Sequence, residues 1–270
     1  MAWRAGAYPG AEMTESAPAG ALSNARFDAA LFDLDGVLTS TAALHTACWK
    51  RVFDEFLGQW GKRTGVLQPP FDPIDDYLRF VDGKPRAAGV RDFLASRGIA
   101  LPEQEHDAAP GDGSIQAVAN SKQALVSREL EEGNVEAFPG SVAWVTELLD
   151  GGMRTAVVSS SENCHAVLEA AGIAGLFETV VDGTVAREQG LPGKPAPDTF
   201  LEAARRLQVD PQRAIVVEDA LAGVAAGRAG GFGLVVGVAR TADPEDLHEH
   251  GADIVVADLE ELMTSNGGQS

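Results

Sequence analysis

Short apolar runs separated by stretches of helical periodicity constrain this chain more than any other feature of its sequence. The runs fall at 29–32, 155–158, 180–181, 214–217, 234–238 and 254–256. After residue 138, apolar residues at helical spacing fill intervals at 141–149, 164–171, 197–207 and 221–229. Strands alternating with helices specify a doubly wound, Rossmann-like parallel α/β sheet, covered on both faces and joined by right-handed crossovers. Ligands of such a sheet bind outside the carboxyl ends of its strands.

Polar residues collect at those ends. The first run delivers Asp33 and Asp35, separated only by Leu34 and followed by Gly36. An Asx-type turn accounts for one Asp there, but burying two ionised carboxylates costs several kcal/mol each unless something compensates. The run at 155–158 leads into Ser159, Ser160 and Ser161, and the run at 214–217 into Glu218 and Asp219. Four carboxylates on one sheet edge repel one another, and a hard divalent cation bound through oxygen, Mg²⁺ foremost, is the simplest remedy. Hydroxyls and backbone N–H groups ahead of a helix, together with Lys194 in Gly193-Lys194-Pro195, add the ingredients for holding a phosphate.

Between the first run and residue 137 no strand pattern appears. A helix is expected over 41–57, with His45 in its first turns, and further helices over 73–81, 87–96 and 114–130. These form a helical insertion, and its polar loop at 102–113 reads as exposed and mobile. Residues 1–24, rich in Ala, Gly, Ser and Pro, offer no apolar face and read as a disordered leader. The expected organisation is a catalytic core at 25–42 and 137–266, with the helical domain at 43–136.

Charge narrows the partners. A net charge of -19 disfavours nucleic acid and anionic membrane surfaces, which select basic patches. No apolar stretch is long enough for a membrane span, and the first residues lack a signal-peptide core. Cys48 and Cys164 have no zinc-type spacing and read as free thiols of a cytoplasmic protein.

Four motifs, Phe32-Asp33-Leu34-Asp35-Gly36-Val37, Val158-Ser159-Ser160-Ser161-Glu162-Asn163, Gly193-Lys194-Pro195-Ala196-Pro197-Asp198 and Val217-Glu218-Asp219-Ala220-Leu221-Ala222-Gly223, occur in this order. With them the chain resembles the haloacid-dehalogenase-like superfamily of phosphotransferases, in its β-phosphoglucomutase-like branch. The resemblance implies that Asp33 is the nucleophile that takes the phosphoryl group and Asp35 the general acid and base. It implies Mg²⁺ on Asp33, the backbone carbonyl of Asp35, Glu218 and Asp219, and phosphate contacts from Ser159 and Lys194, with Ser160 and Asn163 behind them. The insertion becomes a mobile cap, in which Arg86 grips the second phosphate of a sugar bisphosphate. Thr41, His45 and Lys122 match hinge and cap positions. Asp82 stands where mutases of the branch carry a cap lysine, and Lys84 is the candidate to replace it from across the turn. The implied activity is a mutase on β-glucose 1-phosphate working through the 1,6-bisphosphate, with a sugar-phosphate phosphatase as the alternative; a monomer is expected, with a dimer as the alternative. A receiver-like signalling module shares the acidic site, hydroxyl and Lys, but the helical insertion and the Asp-x-Asp spacing argue against it.

Overall fold

The computed structural model describes residues 26–132 and 135–263. The leader expected over 1–24 lies outside them. Among the described residues six strands form one parallel sheet in the order β3-β2-β1-β4-β5-β6: β1 (Ala29–Phe32), β2 (Arg154–Val158), β3 (Thr179–Val181), β4 (Ala214–Glu218), β5 (Leu234–Val238) and β6 (Ile254–Val256). Because β1 is central and neighbouring strands run to either side of it, the sheet is doubly wound as its alternation predicts.

Alternate residues of each strand enter different cores. Ala30, Phe32, Val157, Ile215, Val217 and Val236 pack with Trp144 and Leu148 of helix α4 (Pro139–Asp150) and Val167 and Leu168 of α5 (Cys164–Ala170). On the opposite face, Leu31, Ala156, Val158 and Val216 meet Phe200, Ala203 and Ala204 of α7 (Asp198–Arg206) and Ala226 of α8 (Leu221–Ala229). These strands are buried on both sides, so they read as continuous apolar runs.

The insertion carries a core of its own. Helix α1 (Ala42–Thr64) outlasts its expected end at 57 and stops at Gly65, whose left-handed backbone caps it. Helix α2 (Arg86–Ser96) and helix α3 (Ile115–Glu132) pack with α1 around Trp49, Phe53, Phe56, Phe71, Val90, Phe93 and Val118. The helix expected over 73–81 is reduced to a single π-helical turn, Tyr77–Val81. The chain returns where it left: Thr39 bridges Ala137, and the Phe138 N–H donates to the Leu38 carbonyl at 2.9 Å.

Two short core helices escape the sequence pattern, α6 (Gly183–Gln189) and α9 (Pro244–Glu249). Asp182 caps the first by accepting from Val185 N–H, and Asp243 caps the second by accepting from Glu245 N–H. Both cysteines are buried free thiols. Among the described residues, no helix is long and apolar enough to cross a membrane.

Candidate active site

The ends of β1, β2 and β4 converge beneath the insertion. Asp33 follows β1, and its N–H donates to Val217 of β4 at 2.9 Å, so the sheet itself fixes the first carboxylate. Lys194 Nζ lies 2.5 Å from Asp33 Oδ1 and 2.6 Å from Glu218 Oε1, and donates to the Val158 carbonyl at 2.9 Å. Two of its donors are hydrogen-bonded, to Asp33 and to Val158, and the Glu218 contact is an ion pair that leaves Oε1 without a hydrogen bond. Burial would lower the Lys194 pKa, but Asp33 and Glu218 outweigh it and hold the ammonium charged.

Asp33, Glu218 and Asp219 bring carboxylate oxygens within 4.8 Å of one another, all in buried side chains. Burial pushes the Glu218 carboxyl up to about 7, despite Lys194. The Asp219 carboxyl is driven well above its usual range by burial and by the neighbouring Asp82, Glu218, Asp33 and Asp35. Gly36, at φ +87°, leaves the space this cluster needs, since a Cβ there would stand 1.8 Å from Asp219 Oδ2. An oxygen-only donor set, crowded with like charge and enclosed by backbone, fits a hard divalent cation such as Mg²⁺.

The Asp35 carboxylate takes no part in that cluster. It accepts a hydrogen bond from Thr41, at the start of α1, and lies 3.4 Å from His45 Nε2 one turn later. Burial would raise its pKa, but His45, Thr41 and Lys122 together bring it down to about 2. Of the four carboxylates expected to converge, three cluster through their side chains, and that of Asp35 turns to Thr41 and His45 instead. Lys122 of α3 reaches His45 Nδ1 at 2.6 Å and stands over the Trp49 ring at 5.1 Å.

Ser159 is buried at the end of β2, where its hydroxyl accepts from Ser161 N–H. Ser160 donates instead to the Gly83 carbonyl at 2.8 Å, tying the core to the turn between the π-helical segment and α2. Asn163 accepts from Gln123 of α3 at 2.7 Å and leaves its buried Nδ2 unpartnered.

Arg86 occupies the first position of α2, one residue ahead of the helix expected from 87. Its guanidinium lies 3.0 Å from Glu162 Oε2, 3.0 Å from His106 Nε2 and 3.4 Å from Asn120 Oδ1. Lys84 pairs with Asp92 at 2.7 Å, so its ammonium is held by its own domain. Asp33, Asp35, Asp219 and Ser159 line the core side of one cavity, and Lys84, Arg86, Lys122 and Trp49 line its other side.

Sequence reasoning missed Glu162, which sits inside the quoted serine motif, and read Asp82 only as an absent lysine. Burial raises the Asp82 carboxyl to about 7, with Tyr77 opposing the shift and Asp33 and Asp35 adding to it. The loop at 102–113 is largely exposed, yet it is pinned to α3, where Asn120 Nδ2 donates to the carbonyls of His106 and Ala108 at 2.8 Å each.

Residues 27–231 match the family model of haloacid dehalogenase-like hydrolases. The chain is 47% identical over 238 residues to a β-phosphoglucomutase of Mycobacterium tuberculosis, covering 87% of this chain and 91% of the relative. It is 31% identical over 235 residues to hexitol phosphatase A of Escherichia coli, covering 87% and 93%. Among solved structures, a β-phosphoglucomutase from Clostridium difficile shares the fold with a TM-score of 0.66 at 24% identity, over 88% of this chain and 93% of the other.

Proposed function

The chain belongs to the haloacid dehalogenase-like hydrolase family, and we propose that within it the protein is a β-phosphoglucomutase, converting β-glucose 1-phosphate to glucose 6-phosphate through the 1,6-bisphosphate. Action on small phosphorylated substrates follows from the family and the acidic site. The observation that carries the finer reading is a single cavity with Asp33, Asp35 and Asp219 at one side and Arg86 and Lys122 at the other. A sugar bisphosphate needs both sides, whichever of its phosphates is reacting.

Asp33 Oδ attacks phosphorus in line and becomes an aspartyl phosphate, with Lys194 balancing charge beside it. Bound Mg²⁺, held by Asp33, the Asp35 carbonyl, Glu218 and Asp219, would neutralise the phosphoryl oxygens. Held low by His45, Thr41 and Lys122, Asp35 is ionised at rest, and it accepts the proton that the 6-hydroxyl loses as its oxygen attacks the aspartyl phosphate. Asp35 then carries the proton. When the bisphosphate presents its other end, Asp35 returns that proton to the departing 1-oxygen as Asp33 is phosphorylated again. Thr41 and His45 orient the carboxylate for both steps.

A phosphatase on the same core is the second reading, favoured by the similarity to hexitol phosphatase A. There water replaces the sugar hydroxyl. The deciding assay supplies β-glucose 1-phosphate with a catalytic trace of the bisphosphate and follows glucose 6-phosphate and free phosphate together. Glucose 6-phosphate in excess is the expected product; free phosphate alone overturns the mutase reading.

A further inference from the structure

Glu162 accounts for a cluster that the reaction above does not use. Its carboxylate belongs to the core, in the turn between β2 and α5, but two of its partners belong to the insertion: Arg86 at 3.0 Å and His106 at 2.8 Å. Its third neighbour is Arg187 of α6, with Nε 3.6 Å away. The seat is built closely, because a Cβ on Gly183 would come within 3.1 Å of Glu162 Cγ and 2.7 Å of the Ser160 carbonyl. A side chain on α6 at that point would push Glu162 aside.

The guanidinium that the proposed function assigns to a second phosphate is therefore already bound to an anion of this chain. We propose that Glu162 is a built-in occupant of the Arg86 anion seat, holding the cap on the core until a phosphate displaces it. The proposal rests on the reading that Arg86 receives the non-reacting phosphate. A carboxylate carries one charge and competes as a tethered ligand, so a phosphate dianion can expel it, whereas a neutral hydroxyl or a single carboxylate gains too little. Glu162 thus sets a threshold at the cap seat, yielding it to a phosphate dianion, whether the far phosphate of a bisphosphate or the phosphate of a sugar monophosphate facing the aspartyl phosphate, in preference to weaker anions. The displaced carboxylate has a receiver in Arg187, and room in a neighbouring cavity of about 200 Å³ that Arg86, Glu162 and Arg187 all line. No bond is made or broken in this exchange, only ion pairs.

An intramolecular competitor lowers apparent affinity by the fraction of time the seat is free. The test titrates the full chain with Mg²⁺ present, by calorimetry, using pentane-1,5-bisphosphonate, whose P–C bonds cannot transfer a phosphoryl group, and pentylphosphonate as the one-headed control. Glu162→Gln keeps the shape and removes the charge. It should tighten bisphosphonate binding about tenfold while changing pentylphosphonate by less than about twofold, and the gain should vanish in an Arg86→Ala background. Glu162→Gln binding the bisphosphonate equally well or more weakly overturns the proposal, since Glu162 then only supports Arg86. Equal tightening of both probes overturns it too, because a diffuse change of field explains that result. If Arg86→Ala alone leaves bisphosphonate affinity unchanged, the second-phosphate reading and the proposal fall together; if it weakens binding while Glu162→Gln does nothing, only the proposal falls.

Discussion

Lys122 Nζ lies 2.6 Å from His45 Nδ1, a contact that joins the far helix of the insertion to the residue beside Asp35. Burial lowers the Lys122 pKa to about 8, although Asp35 and Cys48 oppose the shift. A lysine with a depressed pKa loses its proton as pH rises through that value. Phosphate esters are already dianionic there, their second pKa being about 6. We therefore expect kcat/KM for a phosphorylated sugar to fall above about pH 8, and Lys122→Met to be slower below that pH and flat through it. An unchanged alkaline limb in the variant would assign it elsewhere.

Crowded carboxylates make stability depend on metal and pH together. Groups whose folded pKa is raised stabilise the fold below their unfolded value, and that contribution disappears as pH rises through the folded value. Burial places Asp82 and Glu218 at about 7 and Asp219 well above its usual range. In chelator the thermal midpoint should drop as pH climbs from roughly 4 past 7. Asp219→Asn should raise the chelated midpoint at pH 8 by about 2–4 °C. It should also lose most of the stabilisation that Mg²⁺ gives the parent, about 2.7 kcal/mol at a hundredfold excess over Kd. A variant that Mg²⁺ still stabilises fully would remove Asp219 from the metal site.

For the nucleophile, Asp33→Asn is nearly isosteric and should fold, while turnover falls on the order of 10⁴-fold or more. Beryllium fluoride should give a bound fluorine signal with the parent that the variant lacks. A signal retained by the variant would place the analogue on another group.

Arg86→Ala separates the two enzymatic readings. Loss of a charge-assisted phosphate contact is worth about 2–3 kcal/mol, roughly a hundredfold in kcat/KM for isomerisation. Acetyl phosphate has no second phosphate, so its hydrolysis should change little. Equal loss of both activities would give Arg86 a role in closure or folding instead.

Phe53 is fully buried in the insertion, with ring centroids 5.0 Å from Trp49, 5.1 Å from Phe71 and 4.1 Å from Phe93. Phe53→Ala should cost about 3–5 kcal/mol. Hydrogen exchange should show the loss in α1, α2 and α3 before the strands. Equal loss of protection in β1 and β4 would mean that the two cores open as one.

What the sequence disclosed was local. Asp33, Ser159 and Glu218 each terminate a buried run, so strand and side chain are read off together, and the sheet's handedness brings their ends to one edge. Asp243-Pro244 carries an N-cap and first-turn signature that would have revealed α9. The site's second layer has no such signature. Glu162 meets Arg86 and His106 only because the insertion folds back across the sheet. Asp82 acquires its character from burial against residues distant in sequence. Spacing reports neighbours along the chain, and these groups are neighbours only in space.

The hydrogen bond from Phe138 to Leu38 closes the insertion at its neck. To the sheet, everything between those residues is a turn with its ends already joined. Closure entropy grows only logarithmically with the length enclosed, so the neck sets little limit on what hangs from it. A helical domain from another chain, grafted after Thr46 and ending before Ala137 so that Thr41 and His45 keep their hold on Asp35, should inherit the phosphoryl chemistry beneath it and bring its own choice of substrate. Inheritance in such a protein runs along two lines, one for the reaction and one for its clientele.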